Sequence, residues 1–494
     1  LYMYAWHGVI KKYFIAVGVL LHVLFIGLLL VLFINVYHSG YSIPAFSDKA
    51  AKRIAVKQPK LYSLLSPLFG FTESFSVHHH YFREINLPQW QGKGASGFFQ
   101  ANIKREHVVN VNSSTSFVNA LKQALPGQTI VLAEGEYHFK SARLTLGYAG
   151  EQDKPITVMA EKLGTVKLFL KGEGIVVDKP YWHFNNLHLI GQCKKHSQCE
   201  HAFHVVAKAK HTHIKNNYLQ DFNAMIKVNG IKNDFPDYGK VQANTFFNTS
   251  PRKTSNPVTP FDLMHANHWQ VSDNFFYDIQ KSSGDKVSYI AFFKGGSTHG
   301  VFERNLAMCS ANLAQQYITV GLSLGGGGSL KQHRRDKAEF EHKAGVIRNN
   351  IIMHCASDVG IYLNRAKDSI VKNNTLYNTQ GVDVRYSESS ALVESNIISG
   401  RIKSRDGANI VEQHNLVLSR NFFTNADRLS EYFTAPDIGD FTWNDDEPFK
   451  LINHSLSPSA SDFCGNAGKK AYLGVYSGQH FCLEALNLRA KSKR

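Results

Sequence analysis

Short apolar runs between residues 260 and 405 alternate with side chains that exchange protons or hold anions. They read PFDLMHA, YIAFFKGG, VGLSLGGGG, VGIYLNRA, GVDVRYS and GRIKSRDG. If each run is a strand, alternate residues face opposite ways. Leu322, Leu324, Ile361, Leu363, Val382, Val384 and Ile402 then fill inward slots. Lys294, Ser323, Tyr362, Asn364, Asp383, Arg385, Arg401 and Lys403 face outward, with His265 and Arg365 at strand ends. This mostly basic and polar set suits β-elimination from a uronate sugar. That reaction needs a base for the proton beside the carboxylate, an acid for the leaving oxygen and a cation to neutralise the carboxylate. Lys294 or Tyr362 would be the base, His265 or Tyr362 the acid, and Arg365 with Arg385 the carboxylate holders. A lysine base needs its pKa lowered by burial or neighbouring positive charge. Asn364, Asp383, Lys403 and Ser323 would line the substrate, joined by Arg334 from a basic loop. Asp383 and Asn364 are also oxygen donors for a calcium ion, but two ligands fall short of a cage and no metal site is assigned. Taken singly, each of these residues is more often a surface charge or a ladder residue.

Such side chains cooperate only if something stacks them in register. The chain supplies a recurrence: NNLHLIG, NNYLQDF, ANTFFNTS, DNFFYDI, ERNLAMC, RNNIIMH, KNNTLYNT, ESNIISG and QHNLVLS each place an asparagine before an apolar strand. The asparagines are Asn186, Asn217, Asn244, Asn274, Asn305, Asn350, Asn374, Asn396 and Asn415, spaced 31, 27, 30, 31, 45, 24, 22 and 19 residues apart. Helical repeats would show longer amphipathic segments; short β-rich units with asparagine at a fixed turn predict a parallel β-helix of nine visible coils. Asparagine tolerates a left-handed turn, and its amide can bond to the same residue one coil on, so its role is structural. Ser114–Leu125 (STSFVNALKQAL) predicts a helix ahead of the coils, ended by a PGQ turn.

The stack also sets which groups can meet. Coils lie about 4.8 Å apart, so Lys294 and Arg385, three coils apart, are about 14 Å from each other and cannot share one proton transfer. Between Lys294 and Tyr362 falls the coil of Gly325 to Gly328, which predicts a hollow of about 10 Å for one sugar ring. That glycine run lacks a following GK[ST] and is no phosphate loop. The 45-residue interval holds GGGGSLKQHRRDKAEFEHKAG, a loop carrying Lys331, His333, Arg334, Arg335 and Lys337. It could clamp a polyanion or be a solvated charged loop.

Composition fits this reading. With 43% hydrophobic and 19% charged residues the 494-residue chain is a folded protein, not a disordered or polytopic one. Its net charge of +16 attracts polyanions, among which charge alone does not choose. Residues 13–36 carry no formal charge and are long enough to cross a bilayer, and no A-x-A-like cleavage site follows, so a retained anchor is favoured over a signal peptide. Lys11 and Lys12 precede this segment while Lys49, Lys52 and Arg53 follow it, leaving the positive-inside rule undecided. Six cysteines, an even set, place the large domain outside the cytoplasm, periplasmic or extracellular. Cys309 and Cys355 fall on successive coils at a separation that permits a disulfide, Cys193 and Cys199 could close a small loop, and Cys464 and Cys482 could staple the C-terminal end. The expected organisation is a tail over residues 1–12, a transmembrane helix over 13–36, a spacer over 37–104, the β-helix over 105–420 and a non-repetitive cap over 421–494. The triple histidine at His78 to His80 lies in the spacer without a second ligand type, and reads as a solvated run.

The stretch SSTSFVNALKQALPGQTIVLAEGEYHF, followed by KPITVMAEKLGTVKL, resembles the capping helix and opening coils of the chondroitinase B and alginate lyase group. The wider likeness, from Val108 to about Leu418, is to the right-handed parallel β-helix superfamily that includes pectate lyases. The resemblance implies an all-β solenoid acting on polysaccharide. The group's arginine motif, between a histidine-glycine pair and an RN turn, is missing here, so its catalytic pair is not carried over. Fold and wall together predict a membrane-anchored lyase of an acidic polysaccharide, with no nucleic-acid partner. A uronate C5-epimerase would use nearly the same groups, and a non-catalytic glycan-binding envelope protein is the rival of another class. A hydrolase with paired carboxylates fits less well, because the wall is short of acids.

Overall fold

The computed structural model describes residues 2–76, 93–96, 107–444, 461–466 and 472–476. The triple histidine and Cys482 lie outside the described residues. Between Val108 and Leu418 the chain winds through three parallel sheets of twelve, ten and eleven strands. Successive strands of one sheet come from successive coils, which is the stacking the asparagine recurrence requires.

Inside the coil the inward residues form a continuous apolar column of Ile, Val, Leu and Phe. Phe246 and Phe276, on adjacent coils, stack with ring centroids 4.5 Å apart. Each such fully buried ring contributes about 2 kcal/mol relative to exposure. At the N-terminal end helix α4 (Ser114–Gln123) closes the column with Phe117 and Leu121, both fully buried. Ser113 and Ser116 form its reciprocal cap, and the helix stops short of Pro126.

The asparagine ladder is continuous. Asn217, Asn244, Asn274, Asn305, Asn350, Asn374 and Asn396 each donate Nδ2 to the Oδ1 of the next, ending on Asn415. The left-handed backbone, however, falls one residue earlier, at Asn216, Ala243, Asp273, Arg304, Asn349, Asn373, Ser395 and His414. Asn186 is itself such a left-handed residue, and Leu187 takes the ladder position, its N–H bonding Asn217 Oδ1 at 2.9 Å. The ladder asparagine thus satisfies buried backbone groups rather than making the turn.

Cys193–Cys199 and Cys309–Cys355 are disulfides, and Cys464 is also disulfide-bonded. The described part of residues 421–444 and 461–476 does not close the end of the coil. Leu429, Phe433, Phe441, Phe463 and Val475 lie along the outside of the eleven-stranded sheet, covering Leu306, Met308, Ile351, Met353 and Tyr377. Those strands read as unbroken apolar runs because both of their faces are buried.

The N-terminal region is helical well beyond the expected span. Helix α1 covers Tyr2–Ser39, and within its Lys12–Ser39 part an 18-residue window has mean hydropathy 3.0 and is unburied in the protein, whereas Val36 is buried. Within the segment read as a spacer, α2 (Ile43–Lys57) and α3 (Pro59–Glu73) pack on each other as a hairpin. Ser42 caps α2, and the proline beginning α3 separates the two helices. Ser42 also bonds Asn425, and Tyr37 and Phe33 meet Phe422, so α1 leaves the solenoid near its C-terminal coils.

Candidate active site on the ten-stranded sheet

The ten-stranded sheet carries the expected wall. Leu322, Leu324, Ile361, Leu363, Val382 and Val384 face inward and are fully buried, and Ile402 packs half-buried against the same core. Outward, strand register aligns Lys227, Asp262, Phe292, Ser323, Tyr362, Asp383 and Lys403 in one row. A second row holds Met264 beside Lys294 and, further on, Asn364, Arg385 and Arg405. Lys294, Arg385 and Lys403 therefore stand on a single flank.

Lys294 differs from the other cations. Its ammonium lies 4.5 Å from the centre of the Phe292 ring, and among the described residues it forms no hydrogen bond or salt bridge. Burial lowers its pKa from 10.5; Asp262 opposes this and Lys227 adds to it. Lys227 and Asp262, two coils and one coil before Phe292, form an ion pair of 2.7 Å, with Asp262 only 3% exposed. Tyr362, two coils beyond Lys294, has its pKa raised by burial, offset by a hydrogen bond with Arg385. It is held as a phenol.

Several expected site residues have other work. Ser323 is fully buried; its hydroxyl donates to Tyr362 O at 2.7 Å and accepts from Gly326 N at 3.0 Å. His265 accepts from Gly230 N at Nδ1 and bonds His333 O through Nε2 at 2.8 Å, so both ring nitrogens are committed and it is not placed as the acid. Arg334, 8% exposed, binds the carbonyls of Ser329, Ala338 and Glu339 and lies 3.0 Å from the fully buried Glu341. It braces its own loop. Arg335 likewise reaches Asp237 and His265 O, fastening that loop to earlier coils. The loop is a folded brace, not an open clamp.

Asn364 donates Nδ2 to Gly326 O at 3.0 Å and its Oδ1 accepts from Arg365 at 3.4 Å, while Asp383 pairs with Arg405, so both expected calcium donors already face a guanidinium. Among the described residues no cluster of three His, Cys, Asp or Glu side chains is placed to hold a metal. Arg365 bonds Glu388 and lies 3.8 Å over the Tyr386 ring, and Arg385 pairs with Asp406. Lys403 donates to Ser39 O and sits 4.2 Å from the Tyr41 ring, beneath the segment joining α1 to α2; burial brings its pKa to about 8. These side chains lie on the wall, but as members of pairs.

The hollow expected at Gly325 to Gly328 is filled by the glycine turn itself. A Cβ at Gly326 would stand 3.1 Å from the Phe292 ring and 3.4 Å from the Lys294 side chain. Gly325, Gly326 and Gly328 have positive φ, which lets this backbone lie flat on its neighbours. The polar face instead continues from Lys294 toward earlier coils, through Lys227 and Asp262 to His204. His204 bonds Glu173 at 2.8 Å and Asn229 at 2.9 Å. Sequence reading passed over these residues, although Ile226/Lys227/Val228 and Phe203/His204/Val205 show the same alternation one and two coils upstream of PFDLMHA.

Two family models match the chain: chondroitinase B over residues 111–290 and the periplasmic copper-binding protein NosD over residues 332–451. No curated protein matches it. Among solved structures, pectate lyase Pel9A is 13% identical with TM-score 0.43, over 75% of this chain and 89% of its own. A PL6 family polysaccharide lyase from Pseudopedobacter saltans is 14% identical with TM-score 0.35, over 71% and 97%. A GH136 lacto-N-biosidase from Eubacterium ramulus is 13% identical with TM-score 0.44, over 63% and 67%. The stacked parallel sheets and the chondroitinase B match together identify the chain as a right-handed parallel β-helix with a polysaccharide lyase-like fold.

Proposed function

We propose that the protein is a membrane-anchored β-helix, lying outside the cytoplasm, that cleaves an acidic, uronate-containing polysaccharide by β-elimination with Lys294 as the base. One observation carries the reading: Lys294 is the wall lysine that is half-buried against Phe292 with neither a hydrogen bond nor a carboxylate partner for its ammonium among the described residues, whereas Lys403, also without a carboxylate, donates to Ser39 O. A lysine in that state gives up its proton more readily and can accept one from substrate. The neutral amine takes the proton beside the sugar carboxylate, the electron pair forms the new double bond, and the bond to the leaving oxygen breaks. With His265 committed, the ammonium just formed on Lys294 is one donor for that oxygen, and Tyr362, which accepts from Arg385 and keeps its own proton, is another. Lys227, whose charge is felt at Lys294, is the neighbouring cation, and it meets the substrate carboxylate by exchanging its partner Asp262 for it. The disulfides support an oxidising compartment, and α1 supports the anchor.

A second reading is favoured by the filled glycine hollow and the paired arginines: a wall that guides glycan without cutting it. Incubating the purified chain with alginate, pectate, chondroitin and the producer's own exopolysaccharide separates the two. Elimination releases unsaturated ends that absorb in the ultraviolet. Binding without such ends on any polymer supports the guide, and solvent deuterium at the uronate carbon without cleavage would mark an epimerase.

A further inference from the structure

Helix α3 carries an apolar stripe that nothing in the described protein covers. Leu61, Leu64, Leu68 and Phe71 follow one another at three- or four-residue steps, so they share a face, and Phe75, just past the helix, packs edge-on against Phe71 with ring centroids 5.0 Å apart. Leu64 is 75% exposed, Leu68 57%, Phe71 62% and Phe75 53%. No charged residue interrupts the sequence between Lys60 and Glu73. A fifteen-residue helix, about 22 Å long, is too short to cross a bilayer but suits its surface.

Position decides the occupant. Only three residues separate the end of α1 from the start of α2. Ser47 in the first turns of α2 bonds Thr72 near the end of α3, so Phe71 and Phe75 lie at the end of the hairpin nearest to where α1 emerges. At that level the solenoid presents aromatics as well: Phe422 packs on Phe33 and Tyr37 of α1, and its neighbour Phe423 is 64% exposed. Arg53, Lys57 and Lys60 are exposed around the hairpin tip, where they can meet anionic headgroups.

From this continuity we infer that α3 lies in the bilayer interface as a second membrane contact, which with Phe423 fixes how the solenoid sits against the lipid. The inference rests on reading α1 as a membrane span. A single attachment would let the solenoid swivel; two attachments hold the C-terminal end of the wall, where Lys403 lies beneath Ser39 and Tyr41, against the membrane.

The test uses the full chain in vesicles of phosphatidylcholine and phosphatidylglycerol. One added cysteine at a time, at Leu24, Leu68, Phe71 or Lys162, carries an environment-sensitive fluorophore, and doxyl lipids act as quenchers. Expected is quenching at Leu68 and Phe71 roughly threefold or more above that at Lys162, with Leu24 strongly quenched. Leu68→Asp should lower quenching at Phe71 toward the Lys162 level and leave Leu24 unchanged. Quenching at Leu24 with none above Lys162 at Leu68 and Phe71 overturns the inference and leaves the anchor. Blue-shifted emission at Leu68 without quenching shows protein covering the stripe and overturns it too. No quenching at Leu24 removes the anchor itself, and the second contact with it.

Discussion

On the last coils of the ten-stranded sheet Arg365, Arg385 and Arg405 each face a carboxylate, from Glu388, Asp406 and Asp383, whereas Lys294, three coils before Arg385, stands on the same flank beside a phenyl ring. Both stretches are basic in sequence and both face outward. The difference is in what surrounds the charge. A guanidinium paired with a carboxylate is stabilised as a cation and holds the coil edges together. An ammonium half-buried over Phe292 without a carboxylate is destabilised as a cation, a state that costs stability and suits the proton transfer proposed for it. Positive charge along a wall therefore says little about chemistry until its partners are known.

The largest expected effect is on the pH dependence of elimination. The neutral form of Lys294 grows with pH up to a pKa lowered below 10.5, so the initial rate should rise by about tenfold per unit and level off below that value. A rate that falls as pH rises from neutrality would break the contrast. Next is Arg334→Ala, which leaves the fully buried Glu341 without its cation and should cost about 3 kcal/mol in denaturant unfolding. An unchanged midpoint would show that the loop is not braced in this way.

A smaller effect distinguishes Lys294 by sign. Its folded pKa is below that of the unfolded chain, so the unfolded chain binds more protons between the two values and stability rises with pH through that window. Below the window the folded protein bears the full penalty, and Lys294→Met should raise Tm at neutral pH by about 2 °C. A lowered Tm would mean the ammonium is stabilised after all. The smallest change is expected from Arg365→Ala, whose part-exposed pair with Glu388 should shift unfolding by less than about 1 kcal/mol.

Much of the fold was legible because its repeat depends on local rules. Alternation placed Leu322 through Val384 inward, and the ladder asparagines marked each coil, with an offset of one residue at the first. The helical hairpin was missed because α3 is broken up in sequence by Ser66, Pro67 and Gly70, and its apolar stripe has no core beneath it. Site residues were less legible, for a physical reason. Alternation says which way a side chain points, not what it meets. Ser323 points outward and is buried by the glycine turn; Arg334 lies in a charged loop and is buried by Glu341; Lys403 is covered by residues more than 350 positions earlier in the chain. Lys294 was placed on the outward face by the same alternation, and its position over Phe292, two residues earlier on the same strand, involves no distant partner.

Product formation by Lys294→Ala and Lys294→Arg, measured beside polymer binding on the same preparations, is the most direct test of the base. Expected is a loss of unsaturated product of about a hundredfold or more in both, with binding nearly unchanged. A Lys294→Ala protein that still releases product at the wild-type rate would contradict it.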